Sequence, residues 1–121
     1  MAIRVVVVDD HPMLLESLVR VLEEEADIEV VGTATSIDAG VDATEHHHPD
    51  VIVLDHGLQS RNGTDAPTTI LEAWPEASVI VLTAPNADID DDAPVVTAAH
   101  TLDKTLAIDE LAASIRSAAA R

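Results

Sequence analysis

The sequence contains no cysteine, tyrosine or phenylalanine, and it has one tryptophan, one lysine and few other basic residues. The absence of cysteine excludes disulfide scaffolds, thiolate metal sites and cysteine nucleophiles. Six Lys and Arg stand against 23 Asp and Glu, which gives a formal net charge of -17. A field of that sign argues against direct binding of nucleic acid or of an anionic membrane by this chain.

The sequence also lacks long apolar segments. No apolar run approaches the roughly 18 residues of a spanning helix, and the N-terminal residues lack the apolar stretch and cleavage site of a signal peptide. At 47% hydrophobic, the 121 residues should nevertheless fold as one domain and bury roughly two-thirds of the unfolded chain's surface. We therefore expect an acidic, soluble, cytoplasmic single domain, whose acidity reflects either a high-salt environment or a requirement for solubility.

Short β-branched runs alternate with helical patterns along the chain, which is typical of a parallel sheet covered by helices. The predicted strands span residues 3–8, 28–33, 51–54, 78–82 and 100–103. The predicted helices are 12–25, a helix capped by Ser36 that ends near 46–48, 65–74, a short one beginning near Ala93, and a last one with Ile108, Leu111 and Ile115 on one face. These patterns predict a doubly wound α/β fold with five strands and about five helices.

Ionic and hydroxyl side chains follow four of the predicted strands. Asp9 and Asp10 follow the first strand, Asp55 the third, Thr83 the fourth, and Lys104, the only lysine, the fifth. Because ligands bind beyond the carboxyl ends of the strands in open parallel sheets, these groups should converge at one edge. Three adjacent carboxylates need a compensating cation, and Mg²⁺ prefers oxygen ligands and accepts phosphate oxygens. With a lysine and a hydroxyl beside the ion, this arrangement predicts a phosphoryl-transfer site.

Four segments that contain these residues resemble the receiver domain of two-component response regulators. They read VVVVDDHP at 5–12, PDVIVLD at 49–55, VIVLTA at 79–84 and DK at 103–104. The match covers essentially the whole chain, and its Asp-Asp-His-Pro start further resembles the NarL/LuxR branch, whose members join a receiver to a DNA-binding helix-turn-helix. The resemblance implies a flavodoxin-like fold with strand order 2-1-3-4-5 and one receiver domain over residues 1–121, either complete by itself or the N-terminal part of a longer regulator.

The resemblance also implies roles for the residues at the predicted strand ends. Asp55 would accept a phosphoryl group from a histidine kinase, and the protein would not be an enzyme beyond slow autodephosphorylation. Asp10 would ligate Mg²⁺ directly, and Asp9 would act mostly through a bound water. Asp55 itself and the backbone carbonyl of Gly57 would complete the protein ligands of the ion.

A switch of the output surface is implied as well. Lys104 would pair with the phosphoryl oxygens, and Thr83 would donate its hydroxyl once phosphate is present. The output would regulate transcription through a C-terminal helix-turn-helix domain or a self-dimer. The sequence departs from the family near that surface: Thr101 stands where receivers place Tyr or Phe, and Gln59 stands where they usually place Pro. We therefore expect an intact acceptor pocket and an altered output face.

The same residues bear on three other functions. A phosphatase resembling the haloacid dehalogenase family needs a second acid two residues after Asp55, where Gly57 stands. A flavin-binding module needs a Ser/Thr/Gly-rich phosphate loop after the first strand, where this chain has Asp9 and Asp10. A protein-interaction module that works without phosphorylation stays open. The three histidines at 46–48 are interpreted as a solvated helix end rather than as a metal site.

Overall fold

Strands and helices follow one another in the order that the sequence predicts. A computed structural model describes residues 2–55, 66–83, 100–103 and 107–119. Its elements are β1 Ile3–Val8, α1 Pro12–Glu23, β2 Ile28–Ala34, α2 Ile37–His47, β3 Val51–Asp55, α3 Ala66–Ala73, β4 Ser78–Thr83, β5 His100–Asp103 and α4 Ala107–Ala119. The strands are parallel and lie in the order β2-β1-β3-β4-β5, which confirms the doubly wound α/β fold. The loop expected at 84–92 and the short helix expected near Ala93 lie outside the described residues.

Three strands run further than the sequence predicts. β2 extends to Ala34, β3 to Asp55 and β4 to Thr83. Asp55 and Thr83 still pair with a neighbouring strand: Asp55 is paired with Leu82, and Thr83 with Asp103. Asp55 and Thr83 are therefore the final residues of their strands, and the sheet itself fixes where their backbones lie.

Both faces of the central strands β1 and β3 are buried, which explains their near-continuous apolar runs. Val5 and Val7 pack in a cluster that includes the apolar faces of α1 and α4. Val6 and Val8 point the other way and pack in a second cluster with residues of α2 and α3. All four valines are fully buried, so β1 is held from both sides. None of the helices in the described ranges is long and apolar enough to cross a membrane.

An exposed ionic cluster ties the last helix to the connection between α1 and β2. Arg116 on α4 donates from Nε to Asp27 Oδ2 at 2.7 Å, and from Nη2 to Asp27 Oδ1 at 2.8 Å and to Glu25 Oε2 at 2.9 Å. The hydrogen bonds from Arg116 lower the pKa of the Asp27 carboxyl. Because this pKa is lower in the folded chain than in the unfolded chain, the contact stabilises the fold at neutral pH and is lost as the pH falls through the folded pKa. Solvent exposure keeps that contribution small.

Helix α2 has a defined start and a packed end. Ser36 Oγ accepts a hydrogen bond from the Ala39 N–H at 3.2 Å, which confirms the predicted N-cap. At the other end His48 takes the left-handed conformation, with φ 48° and ψ 63°, and its N–H donates to the Thr44 carbonyl. The His48 ring stacks on Trp74 with 4.1 Å between ring centroids and 11° between planes. The three histidines do end the helix, and one of them adds packing that the sequence does not predict.

Helix α2 also lies very close to the end of β1. A Cβ atom at Gly40 would lie 3.0 and 3.1 Å from the two γ carbons of Val8, and 3.2 Å from Cδ1 of Ile70. Val8 is fully buried and β-branched, so its side chain has little freedom to move away. Since Val8 directly precedes Asp9, this contact helps to fix the strand end that carries the predicted acids.

We expect Gly40→Ala to lower the free energy of unfolding by about 1 kcal/mol, because crowding against Val8 and Ile70 outweighs the better helix propensity of alanine. Urea denaturation followed by circular dichroism measures the change. Ala113→Gly, at an exposed position within α4, is the control and should cost about 1 kcal/mol through propensity alone. A Gly40→Ala protein more stable than wild type would show that the contact is not tight.

Candidate functional site

The carboxyl ends of β1, β3 and β4 lie side by side at one edge of the sheet. Val8 on β1 is level with Leu54 on β3, so Asp9 follows β1 at the level of Asp55. Thr83 lies one residue beyond that level on β4. Neighbouring strands are about 4.8 Å apart. The register therefore brings the backbones of Asp9, Asp55 and Thr83 to the same edge.

The side chain of Asp9 is buried although it is a polar carboxyl group. It is 1% exposed. Its backbone N–H donates to the Ala34 carbonyl at the end of β2, at 3.0 Å, and its Oδ1 accepts from the His11 N–H at 2.8 Å. Within the part of the chain that the structure describes, its Oδ2 has no hydrogen-bond partner. An unpartnered oxygen of a buried carboxylate is costly, so the group is suited to receive a ligand.

Asp10 and His11 lie beside this buried carboxylate. The Nδ1 atom of His11 is 3.0 Å from Asp9 Oδ1 and 3.0 Å from Asp10 Oδ1. The Asp10 side chain is 48% exposed and that of His11 is 63% exposed, so both are open to solvent. One ligand atom from each of the three residues lies within 4.8 Å of the others, and no other such group of His, Cys, Asp and Glu occurs among the described residues.

The donor set fits a hard divalent cation. Two carboxylates converge there, and Mg²⁺ prefers carboxylate and water oxygens. The unpartnered Oδ2 of Asp9 is the observation that favours an ion over a purely structural role, because the local hydrogen bonds use only Oδ1. The N-cap of α1 is His11, not Asp9, and the His11 side chain makes no capping hydrogen bond.

Other residues that the sequence assigns to the site are described in part or not at all. For Asp55 and Thr83 the structure describes the backbone, and Gly57 and Lys104 lie outside the described residues. The roles expected for these four side chains and carbonyls stay predictions. His11 lies beside Asp9 and Asp10, and the sequence analysis does not predict it as part of the site. Its position directly after two acids and before Pro12, in a turn rather than in a helix, is the signal that could have found it.

The sequence matches the response regulator receiver domain family over residues 5–116. It is 38% identical over 120 residues to the transcriptional regulatory protein LiaR of Bacillus subtilis, covering 96% of this chain and 56% of LiaR. It is 39% identical over 79 residues to a protein-glutamate methylesterase/protein-glutamine glutaminase of Nitrosospira multiformis, covering 65% of this chain and 22% of that protein. The solved structure of the signal receiver domain of NarL from Mycobacterium tuberculosis superposes with a TM-score of 0.79 at 26% identity, covering 98% of this chain and 97% of that domain.

The chain thus spans little more than half of LiaR and less than a quarter of the methylesterase. The activities in those names belong to proteins that are longer than this chain. The NarL receiver, in contrast, is matched over nearly its whole length. The similarity therefore concerns the receiver portion of these relatives.

We expect Mg²⁺ to raise the melting temperature of the wild-type chain, because an ion that binds only the folded state stabilises it by about 1.4 kcal/mol at ten times its Kd. Asp10→Asn should lose most of this shift, since it removes a carboxylate from the donor set. Differential scanning calorimetry at constant ionic strength measures both, so that screening of the net charge of -17 is the same in every sample.

Asp42→Asn is the matched control for this test. It removes one exposed negative charge from the middle of α2, outside the Asp9–Asp10–His11 group, and should keep the full Mg²⁺ shift. An equal shift in Asp10→Asn and wild type would mean that the ion binds elsewhere on this acidic chain.

Proposed function

The chain belongs to the response regulator receiver domain family, and we propose that it is the phosphoacceptor of a two-component system, with Asp55 as the residue that is phosphorylated. Residues 1–121 form one receiver domain in this proposal. The observation that carries it is the buried carboxylate of Asp9, which has one unpartnered oxygen and follows β1 at the level of Asp55. Such a pair of acids needs a cation, and phosphoryl transfer to a carboxylate needs one too.

The ion is proposed to be Mg²⁺, with Asp10 as a direct ligand, Asp9 acting mostly through water, and Asp55 and the Gly57 carbonyl as the remaining protein ligands. When bound, it supplies positive charge that neutralises the phosphoryl oxygens. The half-exposed carboxylate of Asp10 is open to ions from solvent, whereas that of Asp9 is 1% exposed and fixed by its hydrogen bond from His11. Asp10 is therefore suited to bind the ion directly, and Asp9 is suited to hold a water molecule of the ion.

The reaction is transfer of a phosphoryl group from a phosphohistidine of a histidine kinase to Asp55. The phosphorus–nitrogen bond breaks, a phosphorus–oxygen bond forms at the carboxylate of Asp55, and the released imidazole nitrogen takes up a proton. Lys104 is proposed to pair with the phosphoryl oxygens. Gly57, two residues after Asp55, offers no general base for attack by water, so hydrolysis of the aspartyl phosphate should be slow. The chain is thus a switch rather than an enzyme.

The output is proposed to be transcriptional. The relative LiaR is a transcriptional regulatory protein and is longer than this chain, which covers 56% of it. Here the phosphorylated state would be read through a C-terminal DNA-binding domain or a self-dimer, after Thr83 donates its hydroxyl to the phosphoryl group. Thr101, which pairs with Val81 in the sheet, has no aromatic ring that could rotate in response. A rotating aromatic ring at this position therefore cannot report phosphorylation in this chain.

We expect one phosphoryl group to be added to the wild-type chain on incubation with acetyl phosphate and Mg²⁺, and none to Asp55→Asn. Intact-mass spectrometry measures the addition, and removal of Mg²⁺ with a chelator should abolish it. Asp55→Asn should keep the fold, because it removes one charge from a crowded acidic edge.

Asp42→Asn is again the matched control and should be phosphorylated like wild type. Phosphorylation of Asp55→Asn to the wild-type level would place the acceptor elsewhere. If wild type is not modified by acetyl phosphate or by any phosphorylated histidine kinase tested, the phosphoacceptor function is wrong, and a module that works without phosphorylation becomes the better account.

A further inference from the structure

We propose that His11 is a nitrogen ligand at the Asp9–Asp10 ion site and makes that site bind first-row transition dications, such as Zn²⁺, more tightly than Mg²⁺. The inference rests on the ion site proposed above, but it does not require that Asp55 be phosphorylated.

The three residues converge because the chain between β1 and α1 is not helical. His11 has φ -102° and ψ 100°, an extended conformation, and α1 begins only at Pro12. Consecutive residues of a helix point in different directions, whereas in this turn one ligand atom from each of the three consecutive side chains lies within 4.8 Å of the others. The histidines at the end of α2 show the contrast: they are also consecutive, yet they form no such group among the described residues.

The imidazole lies where a metal ligand would be placed beside the carboxylates of Asp9 and Asp10. Its Nδ1 lies 3.0 Å from Asp9 Oδ1 and 3.0 Å from Asp10 Oδ1. Donor atoms bound to one small dication at about 2.0–2.2 Å are separated by comparable distances, so little rearrangement is needed for a transition ion to bind all three directly, whereas Mg²⁺ is proposed to interact with Asp9 mostly through water. The ring is 63% exposed, which leaves a path for an ion from solvent.

A hydrogen-bonding clasp is the competing account of the same contacts. In that account Nδ1 only donates to the carboxylates and holds them together. A clasp leaves Asp9 Oδ2 without a partner in a side chain that is 1% exposed, because the hydrogen bonds between His11 and Asp9 are made to Oδ1. An ion supplies positive charge to the whole carboxylate, so the unpartnered oxygen favours an ion-binding role.

The identity of the donors then sets the preference. Mg²⁺ takes oxygen ligands and gains little from an imidazole. Imidazole nitrogen suits Zn²⁺, Cu²⁺ and Ni²⁺, and mixed nitrogen and oxygen sites bind these ions more tightly than Mn²⁺. Imidazole nitrogen and carboxylate oxygen are both ligands that Zn²⁺ takes in proteins. The presence of His11 therefore predicts a higher affinity for these ions than two acids alone would give.

The test is calorimetric titration of the wild-type chain and of His11→Asn with ZnCl₂ and, separately, with MgCl₂, in a buffer that does not bind metals. Asparagine keeps a hydrogen-bond donor near the position of Nδ1 but removes the imidazole, so it preserves a clasp and deletes the ligand. We expect His11→Asn to weaken Zn²⁺ binding at the site by about tenfold or more. Its Mg²⁺ affinity should stay within about twofold of wild type, because the oxygen ligands are unchanged.

Two controls separate this site from the other histidines. His46→Asn makes the same chemical change at an exposed histidine of α2 and should leave both affinities unchanged. NMR of the imidazole nitrogens should show that Zn²⁺ shifts the Nδ1 resonance of His11 in wild type and that Asp10→Asn weakens this shift. Circular dichroism of each variant checks the fold.

Equal Zn²⁺ affinity in wild type and His11→Asn, or an unshifted His11 ring while Zn²⁺ is bound, would overturn the inference and leave the clasp as the role of His11. If neither Zn²⁺ nor Mg²⁺ binds wild type, the ion site itself is wrong and the inference falls with it. Phosphorylation of Asp55 is measured separately by mass, so failure of the His11 role and failure of the phosphoacceptor role are distinguishable.

Discussion

The carboxylate of Asp9 is held where water hardly reaches it, at the end of a strand that is buried on both faces. The Asp9 N–H donates to the Ala34 carbonyl, and its Oδ1 is held by His11 through two contacts, one from the backbone N–H and one from Nδ1. The other oxygen has no partner among the described residues. A buried polar group without a partner costs about 1–3 kcal/mol, and more when it is charged. The fold must offset that cost elsewhere, and a bound cation would remove it.

The scaffold around β1 shows how the cost is offset. Four consecutive fully buried valines place this strand between two apolar clusters, each built with helices from a different face of the sheet. Gly40 lets α2 approach the side chain of Val8, the last residue of the strand. The end of β1 is thus closely packed, and the acids that follow it can keep an arrangement that would be unfavourable in a looser turn. The excess of negative charge also disfavours the folded state of the whole chain. It is compensated locally, for example where Arg116 binds the carboxylate of Asp27.

Much of this architecture follows from the sequence because it depends on local patterns. β-branched runs identify the strands, and a parallel sheet brings their carboxyl ends together, so residue order alone predicts Asp9 and Asp10 at the site. Exact strand ends are harder to predict, because Asp55 belongs to β3 only through its pairing with β4. The proximity of His11 to both acids depends on an extended residue before α1. The stack of His48 on Trp74 joins two segments distant in sequence, and no local pattern encodes it.

The most direct test of a cation site at these strand ends is the paramagnetic broadening that Mn²⁺ causes in the amide NMR spectrum of the chain. The account predicts the strongest broadening at the end of β1, in Asp9 and His11, and at the end of β3, in Leu54 and Asp55. Amides at the end of α2 and near Asp27 should keep their intensity at the same Mn²⁺ concentration. Broadening centred on the histidines of α2 or on the acids near Arg116, with the strand ends unaffected, would contradict the account.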